Sequence, residues 1–263
     1  MTTPEHVASA LATAGSAGPY FQLETWSPVV GWRPLSDLAS DTRAVTERVS
    51  SAQSVLEGTS GEPVLEGRVV TSIVFLGLAA RLLAPPLAAA VLGGVVPALT
   101  VDALWWQPTP GGPWPMAASP VTGQDVGPLA SPRELDTAAE LLAAAVLGVT
   151  EPVLASFAES ARVSRQVLWG NVASGLGGAV AMLGQARADR ADIAAELATR
   201  LLQIGPLRGT GELVRPDPAH WRRFFVRRSC CLFYRVPGAG YCGDCVLTPE
   251  DVRRQQWQSA LRP

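Results

Sequence analysis

The 263-residue sequence contains no lysine: all 21 basic residues are arginine. The Lys/Arg choice therefore says nothing about local design for bidentate contacts and reflects genome composition. Histidine is scarce as well, with only His6 and His220. There is no Gly-x-Ser-x-Gly elbow and no His-Glu-x-x-His helix, so a hydrolase triad or a zinc protease has no parts to work with. P-loops are absent, and no strand-to-helix dinucleotide fingerprint is present to bind NAD(P)H directly. Four cysteines are too few for a disulfide scaffold. The N-terminus shows no basic stretch followed by an apolar run and a small-residue cleavage site, so the expected setting is the reducing cytoplasm. Charged residues make up only 17% and apolar ones 48%, which excludes wholesale disorder and supplies a sizeable core. The length allows one large domain, or one domain with a small appendage.

Charge is unevenly distributed. Residues 1–207 hold 11 Arg against 18 acids, whereas residues 208–263 hold 10 Arg against 5. The last fifth of the chain is thus basic on an acidic body, and it suits an acidic partner. A whole-chain charge of −2, with no zinc-finger or helix-turn-helix spacing, argues against nucleic acid.

One uncharged run, Leu82 to Val101, has the length of a membrane span. Pro85, Pro86, Gly93, Gly94 and Pro97 interrupt it, and lipid cannot replace the backbone hydrogen bonds they remove. The expectation is two buried pieces joined by a turn, with no transmembrane span; peripheral membrane association stays open.

Elements follow from periodicity and punctuation. His6–Ala14 and Thr42–Leu56 read as helices, and Arg68–Leu83 as a buried helix or a strand leading into one. Ala98–Trp106 alternates like a strand; Gly111-Gly112-Pro113 then supplies a turn before Trp114–Ala118. Ser131-Pro132-Arg133-Glu134 is a capping box opening a helix over 132–147. Thr150-Glu151-Pro152 predicts the start of a second helix, running to about Trp169. The small residues of Val172–Gln185 suit a helix packed closely on its neighbour, and a further helix begins near Asp189 and stops at Gly205-Pro206. Residues 208–220 read as a connector.

All four cysteines fall in one short stretch, Cys230, Cys231, Cys242 and Cys245, as CC-x10-C-x2-C. Small buried hydrophobes do not cluster in this way, and disulfides are disfavoured in a reducing compartment. A metal site remains. Structural zinc prefers two C-x2-C hooks, and only Cys242–Cys245 forms one. Adjacent Cys230 and Cys231 point apart on extended chain, so they reach one centre only if the backbone bends. That suits a two-iron cluster better than a single ion, although thiolates serve both.

The stretch Arg227–Pro237, closing with Tyr241-Cys242-Gly243-Asp244-Cys245-Val246-Leu247, resembles the C-terminal signature of the FhuF family of ferric siderophore reductases. Leu168-Trp169-Gly170-Asn171-Val172-Ala173-Ser174 is similar to a stretch seen in the same family. The resemblance implies a [2Fe-2S] cluster on Cys230, Cys231, Cys242 and Cys245. It also implies reduction of a cytoplasmic Fe(III)-siderophore to Fe(II), with electrons from a ferredoxin, flavodoxin or flavoprotein. Arg222, Arg223, Arg227, Arg228 and Arg235, with Trp169 and Asn171, are candidates for docking substrate or donor; for any single Arg a solvated surface role is as good a reading. Asn171 also reads as a helix C-cap. Trp105, Trp106, Trp114 and Trp169 could line a chelate pocket, but core packing explains them better. Backbone N–H groups around Gly238, Ala239 and Gly240 are candidates to donate to sulfur.

The resulting expectation is an α+β protein: a helical body with a small antiparallel sheet over residues 1–207, then a cluster-binding segment over 208–263. Two other readings are a zinc-stabilised binding or scaffold protein and an iron-sulfur protein that binds siderophore without reducing it.

Overall fold

The computed structural model describes residues 1–28, 30–60, 65–109 and 114–262; the turn expected at Gly111-Gly112-Pro113 lies outside them. Among the described residues the helices are α1 (Pro4–Gly15), α2 (Ser36–Ser40), α3 (Thr42–Ser60), α4 (Gly67–Gly93), α5 (Pro132–Ala161), α6 (Arg165–Ala186), α7 (Ala191–Leu201) and α8 (Glu250–Leu261). The strands are β1 (Glu24–Thr25), β2 (Arg33–Pro34), β3 (Val95–Pro97), β4 (Leu104–Trp106), β5 (Met116–Ala118), β6 (Gly123–Asp125), β7 (Gly211–Val214) and β8 (Phe224–Arg227). The fold is α+β, as expected.

Helix α4 is the axis of the molecule. It is apolar on all sides, which in a globular protein marks a helix enclosed by others, and it packs on α6, α1 and α5. The helix continues through Pro85 and Pro86, and the turn comes only at Gly94, which is left-handed (φ 65). The two-piece expectation is therefore corrected. Each proline removes one backbone donor, but the surrounding Leu83, Ala84, Leu87 and Ala88 are fully buried, and that packing continues across the break.

Helix α5 departs from expectation in the same way. Its capping box forms as predicted, with Glu134 N–H donating to Ser131 Oγ and Ser131 N–H to Glu134. However, the helix passes through Thr150-Glu151-Pro152 without stopping, because Val149, Val153, Leu154 and Phe157 continue its buried face. The break falls at Arg162, with φ 51, so the helix expected from 150 to 169 is divided between α5 and α6. Asn171 lies inside α6 and caps nothing.

Three small sheets complete the body. β1, β5, β4 and β2 form a four-stranded sheet, antiparallel except for β1 beside β5; β3 pairs antiparallel with β6 and β7 with β8. β4 and β5 are the neighbouring strands expected around Trp106 and Trp114. The stretch read as a connector, 208–220, contains strand β7.

One face of α6 positions the C-terminal segment. Gly170, Gly177 and Gly184 recur every seven residues, and their missing side chains leave room for Ser229, Phe225 and Trp221 respectively. Seven helical residues rise about 10 Å, while four residues of extended chain span about 13 Å. The chain leading into and along β8 therefore crosses α6 obliquely, meeting a glycine at every fourth residue. On another side of α6, Gly175 approaches the backbone of Ala79 and Ala80 in α4.

Helices α4, α5 and α6 are long and apolar enough to cross a membrane by length and composition. Their most apolar windows are 78%, 50% and 72% buried inside the structure.

Candidate metal centre

Strand β8 ends at Arg227, and the chain leaves α6 beside Gly170 to form two hooks. In the first, Cys230 and Cys231 are followed by Leu232 in the left-handed region (φ 69) and a 3-10 turn over Phe233–Arg235. This supplies a sharp reversal directly after the vicinal pair. Gly238 and Gly240, both with positive φ (73 and 70), turn the chain back toward the second hook. There Cys245 N–H donates to the Cys242 carbonyl at 3.1 Å, closing the Cys-x-x-Cys turn.

Each hook has a backbone N–H directed at a sulfur, at outer Cys230 in the first and inner Cys245 in the second. Leu232 N–H points at Cys230 Sγ (3.3 Å), and Leu247 N–H at Cys245 Sγ (3.4 Å). These donors lie two residues after a cysteine, not around Gly238–Gly240; Ala239 N–H instead donates to the Val236 carbonyl. Each hook also has an inner and an outer thiol: Cys231 and Cys245 are buried, Cys230 and Cys242 half-buried. Across the hooks, Cys231 and Cys242 approach to 3.3 Å between sulfurs. The hydrogen bond between them lowers the Cys231 thiol and raises that of Cys242. Burial is the main cause raising Cys230.

Residues outside the hooks fix them, and of these Asn171 and Arg227 were candidates in the sequence. Ser72 of α4 donates through Oγ to the Cys231 carbonyl (2.8 Å). Asn171 of α6 donates its amide to Ser72 O and Oγ, both at 2.9 Å, and accepts from Arg227 Nη2 at 2.7 Å. Ser174, one turn further along α6, donates to the Asp244 carboxylate at 2.5 Å. From the other side Arg253 of α8 donates to the Cys245 and Thr248 carbonyls. The other sequence signal for these partners was the polar spacing of Asn171 and Ser174 within an apolar helix.

The predicted docking residues have diverse surroundings. Arg227 and Asn171 are buried (1% and 0% exposed) and bonded to each other. Arg222 bonds the Ala260 carbonyl, Arg223 pairs with Asp192, and Arg235 pairs with Glu66 at the start of α4. Arg228 remains largely exposed near Glu212. Trp169 is buried and, with Arg208, Thr210 and Arg228, lines a cavity of about 240 Å³. Trp106 and Trp114 pack ring against ring in the core, and Trp105 stacks on Trp26.

Among the described residues no three His, Cys, Asp or Glu side chains close on a single point as a lone metal ion would need. The donor set suits a two-metal group: four thiols on two hooks, with backbone N–H groups already directed at two sulfurs. Residues 227–247, which contain all four cysteines, match the family model described as FhuF 2Fe-2S C-terminal domain. Residues 227–247 therefore form an iron-sulfur module whose cofactor is a [2Fe-2S] cluster. The match supports placing the chain in the FhuF family through this domain. No curated protein matches the chain.

Proposed function

We propose that the protein reduces a ferric siderophore in the cytoplasm, releasing Fe(II), with Cys230, Cys231, Cys242 and Cys245 holding the cluster. The observation that carries this reading is the exposure of the cysteine loops: Cys230 and Cys242 are half-buried, and Tyr234, Tyr241, Val246 and Leu247 stand exposed around them. A bound [2Fe-2S] cluster supplies a one-electron carrier, and this rim leaves room for an acceptor or donor to come close. One electron converts Fe(III) in the chelate to Fe(II), which hard oxygen ligands hold weakly. A ferredoxin, flavodoxin or flavoprotein replaces that electron, and the basic residues of the segment suit an acidic donor.

The acceptor belongs on this rim. The cavity of about 380 Å³ between α1, β1 and residues 118–121 is lined by no residue of the C-terminal segment. Helices α4 and α6 serve as the core of a soluble body in this reading, since they have few faces left for lipid.

The test is to mix the chemically reduced protein, under argon, with a ferric hydroxamate and a ferrous trap in a stopped-flow instrument. Re-oxidation of the cluster with stoichiometric ferrous release is expected. Binding of the chelate without electron transfer would leave a siderophore binder and refute the reductase reading.

A further inference from the structure

Arg227 ends β8, three residues before the first cysteine, and is 1% exposed. Nε donates to the Ser229 carbonyl and Nη2 to Asn171 Oδ1. Nη1 has no partner among the described residues, and neither does the hydroxyl of Ser229 beside it; both atoms are shielded from water. No carboxylate of the described residues forms an ion pair with this guanidinium, whereas Arg223 and Arg235 each have one.

A charge withdrawn from water and left unpaired is costly, so burial of this kind calls for a counter-charge. The other buried arginines are accounted for differently. Arg81 donates to the carbonyls of Trp114, Pro19, Tyr20 and Gln22. Arg48, whose Nε and Nη1 also lack hydrogen-bond partners, lays its guanidinium over the Trp114 ring at 4.5 Å. Arg227 alone of the three lies within the cysteine motif. Its Asn171 partner bonds Ser72, whose hydroxyl holds the Cys231 carbonyl, so the guanidinium and the loop are fixed relative to each other.

A [2Fe-2S] group on four thiolates is anionic when oxidised and gains one further negative charge on reduction. We propose that Arg227 is the fixed counter-charge of the cluster, held beside the cysteine loop by Asn171 and Ser72, and that it raises the reduction potential by favouring the more negative, reduced form. Arg227 is thus a positioning residue that acts through the cluster's potential and touches no substrate. The inference rests on the cluster assignment, not on ferric siderophore as the acceptor. A failed stopped-flow reduction would leave it intact.

The experiment is a potentiometric titration of the full-length, cluster-loaded protein, followed by visible absorption and electron paramagnetic resonance. Arg227→Gln, Arg227→Lys and Asn171→Asp are compared with the parent. The Gln variant removes the charge and is expected to lower the midpoint potential. The Lys variant keeps the charge and is expected to stay nearer the parent. Asn171→Asp places a carboxylate against an intact Arg227, at the loss of the two donations to Ser72, and is expected to lower the potential while Ser72 keeps its own bond to the Cys231 carbonyl. Unchanged potentials in the Gln and Asp variants at full iron content would overturn the proposal. If the Gln variant fails to assemble its cluster, the Asp variant decides: a lowered potential supports the inference, and an unchanged one refutes it.

Discussion

A Cβ placed on Gly177 would fall 2.4 Å from Phe225 Cβ and 2.6 Å from its Cγ. The Phe225 side chain of strand β8 therefore packs directly on the backbone of helix α6 at this point. Gly177→Ala must push β8 away, and overpacking of this kind costs about 1–3 kcal/mol. Loss of iron is expected with the loss of stability. Gly178→Ala is the control, since a methyl group added there would meet nothing within 4 Å, and it should be neutral or up to about 1 kcal/mol more stable through helix propensity. Denaturant titration and iron analysis of the two variants test the contrast.

Cys231→Ser removes the buried thiol that meets Cys242 across the hooks. The purified variant is expected to lose the red-brown visible bands or to show a strongly altered spectrum after dithionite reduction. A normal spectrum and potential would take Cys231 out of the ligand set.

Ser72→Ala tests the distant support. The Cys231 carbonyl and the Asn171 amide both lose a partner, and a buried polar group left unsatisfied costs about 1–3 kcal/mol. The variant should unfold at lower denaturant concentration and bleach faster in air, although Ser72 is no ligand.

The Arg235–Glu66 pair ties the first hook to the start of α4. Hydrogen bonds from Arg68 and then Arg235 hold the Glu66 carboxyl below the usual range. A depressed carboxylate stabilises the fold above its ordinary pKa, and that contribution is lost as pH falls through the lowered folded value. Bleaching of the parent should therefore accelerate on acidification through the carboxylate range. Glu66→Gln should lack the part due to this pair and, at neutral pH, bleach faster than the parent. Equal rates at neutral pH would show that the tether does not hold the hook.

What could be read in the sequence was local. Ser131-Pro132-Glu134 announced α5 because a capping box satisfies its own backbone donors within four residues. The cysteine spacing was legible for the same reason: both hooks lie within one short segment. Pro85, Pro86 and Pro152 misled, because the cost of a proline is local whereas the burial that offsets it comes from other helices. The seven-residue glycine repeat of α6 was visible as a small-residue helix, yet the residues that fill its spaces lie at 221–229. Ser72 was illegible: a hydroxyl next to that of Thr71 in an apolar run gives no hint of a bond to residue 231.

Because Ser72, Asn171 and Ser174 anchor the ligand loops from α4 and α6, colour becomes a folding probe for helices that contain no cysteine. Fading during a thermal ramp would report the cluster loss that follows separation of that helix pair, and a peptide of residues 227–247 alone would carry every thiol without the scaffold that orients them.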